Sequence, residues 1–316
     1  MSLKQTISEL LGELSTSDND LQKDMRHHQS WWRACVLGEE QGLHPLDSSK
    51  LIGSSILNGE KDKINFLDDF AKKAVHETLD SRKNGSKGLI KEDRLYNNLL
   101  SSQPLCFNFF GRLKYNLLLA TQVFQQFFPD IKDITEIHFE FAPNAATNGD
   151  NSAHDVALEF ISISNQKGII GLECKYTEPF SPKEYGKDGP DKKDGKYRQV
   201  YEDSSAFKAN YKDLVNTKYN QLFRNQLIVE SALLTKEGPY KIGYSGLFCF
   251  QEDENALSKG KAFQEMLKNG EERFKIITFA DLIETIQKAN IDWETREWSM
   301  MLWARYCGTM LSKNVR

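Results

Sequence analysis

The chain has no apolar run near the roughly 20 residues a membrane-spanning helix needs, and its polar, amphipathic start, MSLKQTISELLGELSTSDND, carries no readable secretory signal. These absences make a cytoplasmic protein the expectation and a membrane partner an unexpected one. Paired cysteines are missing as well: Cys35, Cys106, Cys174, Cys249 and Cys307 stand singly, four of them in apolar surroundings. That excludes a zinc ribbon or a disulfide framework and leaves reduced, mostly buried thiols. An excess of one charge is absent too, since 41 Lys and Arg face 45 Asp and Glu, a formal net charge of −4. Bulk electrostatics therefore does not draw the protein to nucleic acid, and any phosphate-binding surface must be a local patch.

What is present is an ordinary globular composition, 39% hydrophobic and 27% charged over 316 residues, enough for one large domain or a core with an extension. Residues 1–104 read as a mainly helical N-terminal extension. Within it, RHHQSWWR (Arg26–Arg33) mixes basic and aromatic residues, a pattern better explained by a helix turning its tryptophans inward than by base stacking. His27 and His28 lack a third metal ligand at usable spacing.

From about residue 105 the periodicity sharpens. Gly111–Phe128 has apolar residues at helical spacing and stops at Pro129, Ile134–Pro143 alternates as a strand, and Asn144–Ser152 is a turn-rich loop. Ala153–Ile163 and Gly168–Thr177 are two further strands. A charged Gly- and Pro-containing segment, Pro179–Arg198, reads as solvated loop; its Lys183, Lys187, Lys192, Lys193, Lys196 and Arg198 are nearly cancelled by interspersed acids. Then come a helix within Tyr211–Leu234, strands at Tyr240–Gln251 and Arg273–Phe279, and closing helices around Asp281–Ala289 and Trp293–Leu311. Trp293, Trp298 and Trp303 read as packing residues. The order helix, strand, strand, strand, helix, strand most simply builds a mixed sheet with helices on both faces, an α/β fold.

The stretch GIIGLECKYT (Gly168–Thr177) sets Glu173 and Lys175 two residues apart in an apolar strand, hence on one face. On the preceding strand Asp155 and Glu159 share a face, and a short connection brings Asp155 near Glu173 and Lys175. Carboxylates that close repel unless a proton or cation sits between them, and a few oxygen ligands suit magnesium or manganese. Lys175 beside them would orient a water or meet charge on a phosphate. Acid-x-Lys spacings recur, as at Asp130-Ile131-Lys132, but Glu173-Cys174-Lys175 is the one Glu-x-Lys in the chain.

Asp155 followed by Glu173-Cys174-Lys175 on the next strand, within that element order, resembles the PD-(D/E)xK nuclease superfamily with its restriction-endonuclease-like fold. The resemblance covers roughly Cys106 to Gln251, and extends to the SSQPLCFN stretch (Ser101–Asn108) and the NQLFRN helix (Asn220–Asn225) of a poorly characterised bacterial branch. It implies a core over residues 105–316, phosphodiester hydrolysis, Mg²⁺ or Mn²⁺ held by Asp155, Glu173 and the carbonyl of Cys174, and Lys175 acting on the attacking water. It further implies that Gln221 serves in catalysis and that Arg224, three residues on and on the same helical face, contacts nucleic acid. DNA is the expected substrate by analogy, and two copies are expected where both strands are cut. His154 stands where the motif's name has proline.

Blander readings accompany each of these. Glu173 and Lys175 would alternatively form a structural ion pair, though burying one is not a cheap route to stability. Glu159, Glu140 and Glu136 are candidates for a second metal or simply strand carboxylates. A binding module that kept the nuclease fold without cutting, and a hydrolase of small phosphorylated molecules, are the competing functions. Failure to bind divalent metal favours the first, and a closed narrow pocket the second.

Overall fold

The computed structural model describes residues 9–45, 47–83, 89–143, 152–181 and 192–313. Most of the loop expected between residues 144 and 152, and the acidic and basic residues of 182–191, lie outside these. A five-stranded mixed sheet forms the centre, in the order β3-β4-β5-β6-β7: β3 (Ile131–Phe141), β4 (His154–Ser162) and β5 (Lys167–Lys175) are antiparallel, whereas β6 (Ile242–Cys249) and β7 (Phe274–Thr278) run parallel to β5. This is the restriction-endonuclease-like α/β architecture.

Strand β5 lies in the middle and is buried on both faces, which explains its nearly unbroken apolar sequence. Its alternate residues Ile170, Leu172 and Cys174 enter one core with Phe248 and Ile277, while Ile169 enters another with Ile228 and Val229. The first core is covered by helices α3 (Ser102–Tyr115), α4 (Leu117–Phe124), α8 (Phe279–Lys288) and α9 (Trp293–Tyr306). Phe109 stacks edge-on against Phe248 at 4.9 Å and lies 5.2 Å from Phe279 and from Tyr306. The opposite face carries α5 (Lys192–Asp203), α6 (Asn220–Leu234) and α7 (Glu254–Glu265).

The expected helix Gly111–Phe128 is two helices. At Asn116 the backbone leaves the helical region (φ −132, ψ 74), and the Asn116 carboxamide caps the next helix by accepting from Leu119 N–H at 3.1 Å. The N-terminal region also departs from a purely helical reading. After α1 (Asp20–Trp31), which continues as a π-helical segment (Trp32–Leu37), residues Gln41–His44 and Asp47–Ile56 form an antiparallel hairpin, β1 and β2. Glycine permits it: a Cβ on Gly42 would lie 2.3 Å from Ile56 O, and one on Gly53 2.1 Å from Leu11 O. A helix α2 (Asp69–Lys83) follows. Residues 192–198, expected to be loop, lie instead within α5, and Tyr197 is buried.

The Arg26–Arg33 stretch packs inward as expected. Trp32 is buried, His28 Nε2 meets Ala304 O at 2.9 Å, and Arg33 donates to Gly53 O at 2.7 Å. Of the three tryptophans in α9 only Trp298 is buried, its indole N–H donating to Asn108 O at 3.1 Å; Trp293 is 71% exposed. Helix α1 also grips the end of β5, for Gln29 Nε2 donates to Tyr176 OH at 2.8 Å and Gln22 Nε2 to Thr177 O at 3.1 Å.

Helices α2 and α3 cross where Gly111 removes a side chain, because a Cβ there would sit 2.7 Å from Ala71 Cα. Backbone cannot yield as a flexible side chain can. Overpacking of this kind costs about 1–3 kcal/mol, against about 1 kcal/mol that alanine gains over glycine within a helix. Gly111→Ala is therefore expected to lower the unfolding free energy by up to about 2 kcal/mol, read from urea unfolding.

Candidate metal centre and active-site cleft

The C-terminal ends of β3 and β5 and the start of β4 meet at one edge of the sheet, where an open cleft of ≈ 300 Å³ is lined by Arg94, Ser102, Gln103, Glu140, Asp155, Glu173, Lys175, Glu178 and Gln221, among others. Four residues singled out from sequence, Asp155, Glu173, Lys175 and Gln221, thus share one cleft. Lys175 Nζ is 2.8 Å from Glu173 Oε1, and both side chains are almost fully buried. The backbone N–H of Cys174 donates to Asp155 Oδ2 at 2.7 Å, which pins that carboxylate to the strand carrying the other two.

Helix α6 delivers two carboxamides to Glu173. Gln221 Nε2 donates to Oε1 at 2.5 Å and Asn225 Nδ2 to Oε2 at 2.6 Å; four residues apart, they share a helical face. Gln221 is itself oriented by Ser181 N–H, 3.0 Å from its Oε1. An ionised carboxylate offers about four lone-pair positions, so Lys175, Gln221 and Asn225 together leave about one on Glu173 for a further ligand. Asp155 retains more.

Glu140 is the third carboxylate. It accepts from Leu89 N–H at 3.1 Å, and its backbone sits in the left-handed region (φ +48), rare for a residue with a Cβ. Burial, with Glu173 nearby, pushes its pKa from 4.5 up to about 7 despite the Leu89 and Gln103 hydrogen bonds. Burial and the charges of Glu173 and Glu140 likewise hold Asp155 well above the ordinary carboxylate range. For Lys175 burial alone would lower the pKa, but Glu173 and Asp155 outweigh it and keep the ammonium above its ordinary value. Four carboxyl groups, Glu140, Asp155, Glu173 and Glu178, against two cations, Arg94 and Lys175, leave the cleft short of positive charge. Hard oxygen donors in such a deficit fit magnesium or manganese.

The other expected residues lie elsewhere. Arg224 is absent from the cleft lining; its guanidinium meets Ser152 Oγ and donates to Tyr197 OH at 3.2 Å. Glu159 is held by Lys167 Nζ at 2.5 Å and by Tyr240 OH at 2.5 Å. Although burial opposes it, these partners and His138 bring its pKa down to about 2, so Glu159 makes a local ion pair near Glu136 and His138. His154 is fully buried, held neutral by burial with a pKa of about 3, and its ring occupies the space a side chain at Gly171 would fill, 2.2 Å from that Cβ position. The SSQPLCFN stretch contributes Ser102 and Gln103 to the cleft, and Ser102 N–H donates to Glu178 Oε1 at 2.8 Å, as does Arg94 Nη2 at 2.8 Å.

A family model described as the PD-(D/E)XK nuclease superfamily matches residues 16–308. The chain belongs to this superfamily. No curated protein matches it. The match takes in Asp155, Glu173 and Lys175, and residues 16–100, outside the sequence resemblance, also fall inside it. Among the described residues no helix is long and apolar enough to cross a membrane.

A carboxyl whose folded pKa is raised stabilises the fold where it is protonated. For Glu140 that contribution is complete below about pH 4.5 and is lost as pH rises through about 7. Metal-free protein in chelator should therefore lose thermal stability across that window, and Glu140→Gln should show a shallower loss. Equal pH profiles for the two proteins would contradict the crowding at this site.

Proposed function

We propose that the chain is a divalent-metal-dependent nuclease that hydrolyses phosphodiester bonds, with DNA as its substrate by analogy with the superfamily. The observation that carries this reading is the convergence of Asp155, Glu173 and Lys175 in one open, carboxylate-rich cleft. Asp155 and Glu173, with the Cys174 carbonyl and the carboxylate of Glu140, would hold Mg²⁺ or Mn²⁺. The bound ion would supply polarisation of a phosphate oxygen and a lowered pKa for water.

The chain's own groups divide the remaining work. Lys175 is an ammonium, so it donates hydrogen bonds, to the attacking water or to a phosphate oxygen, and meets charge as it develops there. Gln221 and Asn225 fix the Glu173 carboxylate in place, which makes them positioning residues. Outside the cleft floor, Lys259 lies 4.8 Å from the Phe180 ring and Lys175 lies 5.3 Å from it. Burial, then repulsion from Lys218 and Lys175, lowers the Lys259 pKa. These ammonium groups, offset in part by Asp253, would give a phosphate backbone local contacts in a net acidic protein.

One observation favours the competing reading, a module that binds without cutting: both oxygens of Glu173 are already engaged. Metal binding and cleavage decide between them. We expect supercoiled plasmid or labelled single-stranded DNA or RNA to be cut with Mg²⁺ or Mn²⁺, not with EDTA. Lys175→Ala should slow cutting by about 10²–10³-fold, as loss of one charge-stabilising donor does, and Asp155→Ala should abolish it. Absence of cutting together with absence of calorimetric Mn²⁺ binding would leave the binding module. Replacing both Lys218 and Lys259 by alanine should weaken nucleic-acid binding and flatten the plot of log affinity against log salt by about 1.4–1.8, two phosphate contacts' worth.

A further inference from the structure

Below the sheet, on the side away from Glu173 and Lys175, the strand alternation aims the Cys174 thiol at helix α3, where it meets the thiol of Cys106. The two sulfurs lie within 4.8 Å of one another, and both residues are buried. An Asp155 carboxylate oxygen completes the group: it and the two sulfurs all lie within 4.8 Å of one another. A tetrahedral zinc with Zn–S of about 2.3 Å and Zn–O of about 2.0 Å places its donors about 3.5–3.8 Å apart. The side chains are thus within a small adjustment of that geometry, and Asp155 faces the open cleft, which provides entry.

We propose that Cys106, Cys174 and Asp155 form a binding site for a thiophilic divalent cation, zinc foremost, and that its occupation inhibits the nuclease by withdrawing Asp155 from the magnesium centre. Two thiolates and one carboxylate select zinc over magnesium, because soft sulfur ligands are unsuited to a hard ion. Binding is ligand exchange without change of oxidation state. Two Zn–S bonds and one Zn–O bond form as the zinc sheds all but one of its bound waters, and the two thiol protons pass to solvent. The remaining position is taken by water from the cleft. One carboxylate is then contested by a soft ion under the sheet edge and a hard ion above it. The inhibitory half of the proposal rests on the nuclease reading; the binding half does not.

The test uses the full chain, metal-stripped and kept in a phosphine reductant so that no disulfide intervenes. Co²⁺ is the spectroscopic probe. One equivalent is expected to produce a near-ultraviolet thiolate-to-cobalt band, displaced by Zn²⁺ and lost in Cys106→Ala. No such band in the parent, or an undiminished band in the variant, overturns the site. Cys106→Ser, which keeps the size but removes the sulfur, serves if alanine impairs folding, with thermal unfolding as the control. Zn²⁺ inhibition of Mg²⁺-dependent cutting, each protein normalised to its own zinc-free rate, should need on the order of tenfold more zinc in the Cys106 variant, the scale on which a lost supporting group weakens a metal site. Equal inhibition of both proteins would assign zinc to the magnesium ligands and overturn the regulatory role. A protein that binds Co²⁺ through thiolates yet cuts nothing would overturn the nuclease reading and leave the soft-metal site standing.

Discussion

The structure depends on an electrostatic imbalance at the strand ends on one side of the sheet. Asp155, Glu173 and Glu140 are brought together in one open cleft, Glu173 buried and the other two half-buried, and Lys175 lies among them. Such an arrangement is costly to fold, since burying charge is repaid only by well-placed partners. The surrounding residues act as those partners. The Cys174 N–H, the Leu89 N–H, the carboxamides of Gln221 and Asn225 and the Lys175 ammonium each attend one carboxylate. The helices on both sides of the sheet are placed by their apolar contacts, and this leaves their polar termini and faces free to supply the donors.

Strand β5 serves both sides of this arrangement. Odd-numbered Glu173 and Lys175 face α6, and even-numbered Leu172 and Cys174 face α3. Because the strand is central, neither face is wet except at its end, which is where Glu173 and Lys175 sit. Strong perturbation of several neighbouring groups in one direction is the pattern of a functional site. Glu159, which shares the sheet face of Asp155, shows the opposite outcome. Paired with Lys167 and Tyr240, it is as acidic as a satisfied carboxylate should be.

Much of this was legible in the sequence because it is local in the chain. The order of strands, the burial of Gly168–Lys175 and the facing of Glu173 with Lys175 follow from a period of two, and Asp155 needed only a short connection to reach them. The helix that carries Gln221 was visible for the same reason, and so was Asn225 as part of its motif, though not its hold on Glu173. Glu140 stood only as one of three strand carboxylates that could serve a second metal, and Glu178 was not singled out, because what brings them to the cleft is a register across strands and a contact between a loop and a helix terminus. Arg224 lies on the expected face, yet its planar group is drawn to Tyr197 and Ser152, on segments whose polarity suggested only solvated loop. The β1–β2 hairpin was hidden by its dependence on the space Gly42 and Gly53 leave for neighbouring backbone.

The grip of α1 on the residues just past Lys175 bears on how such a protein can be subdivided. Tyr176 and Thr177 are fastened by Gln29 and Gln22, and Gln29 is in turn fastened to Arg305 O at 2.8 Å. Helices α1 and α9 therefore meet through one glutamine, behind the strand that bears Lys175. A portable fragment trimmed to the sheet and its immediate helices would leave that glutamine's partners open, so grafting or fusion is better done at the outer loops than at the apparent seam near residue 105. The peripheral helices belong to the mounting of the acidic cleft, and variation in them is one route by which a shared scaffold can be retuned without altering the residues of that cleft.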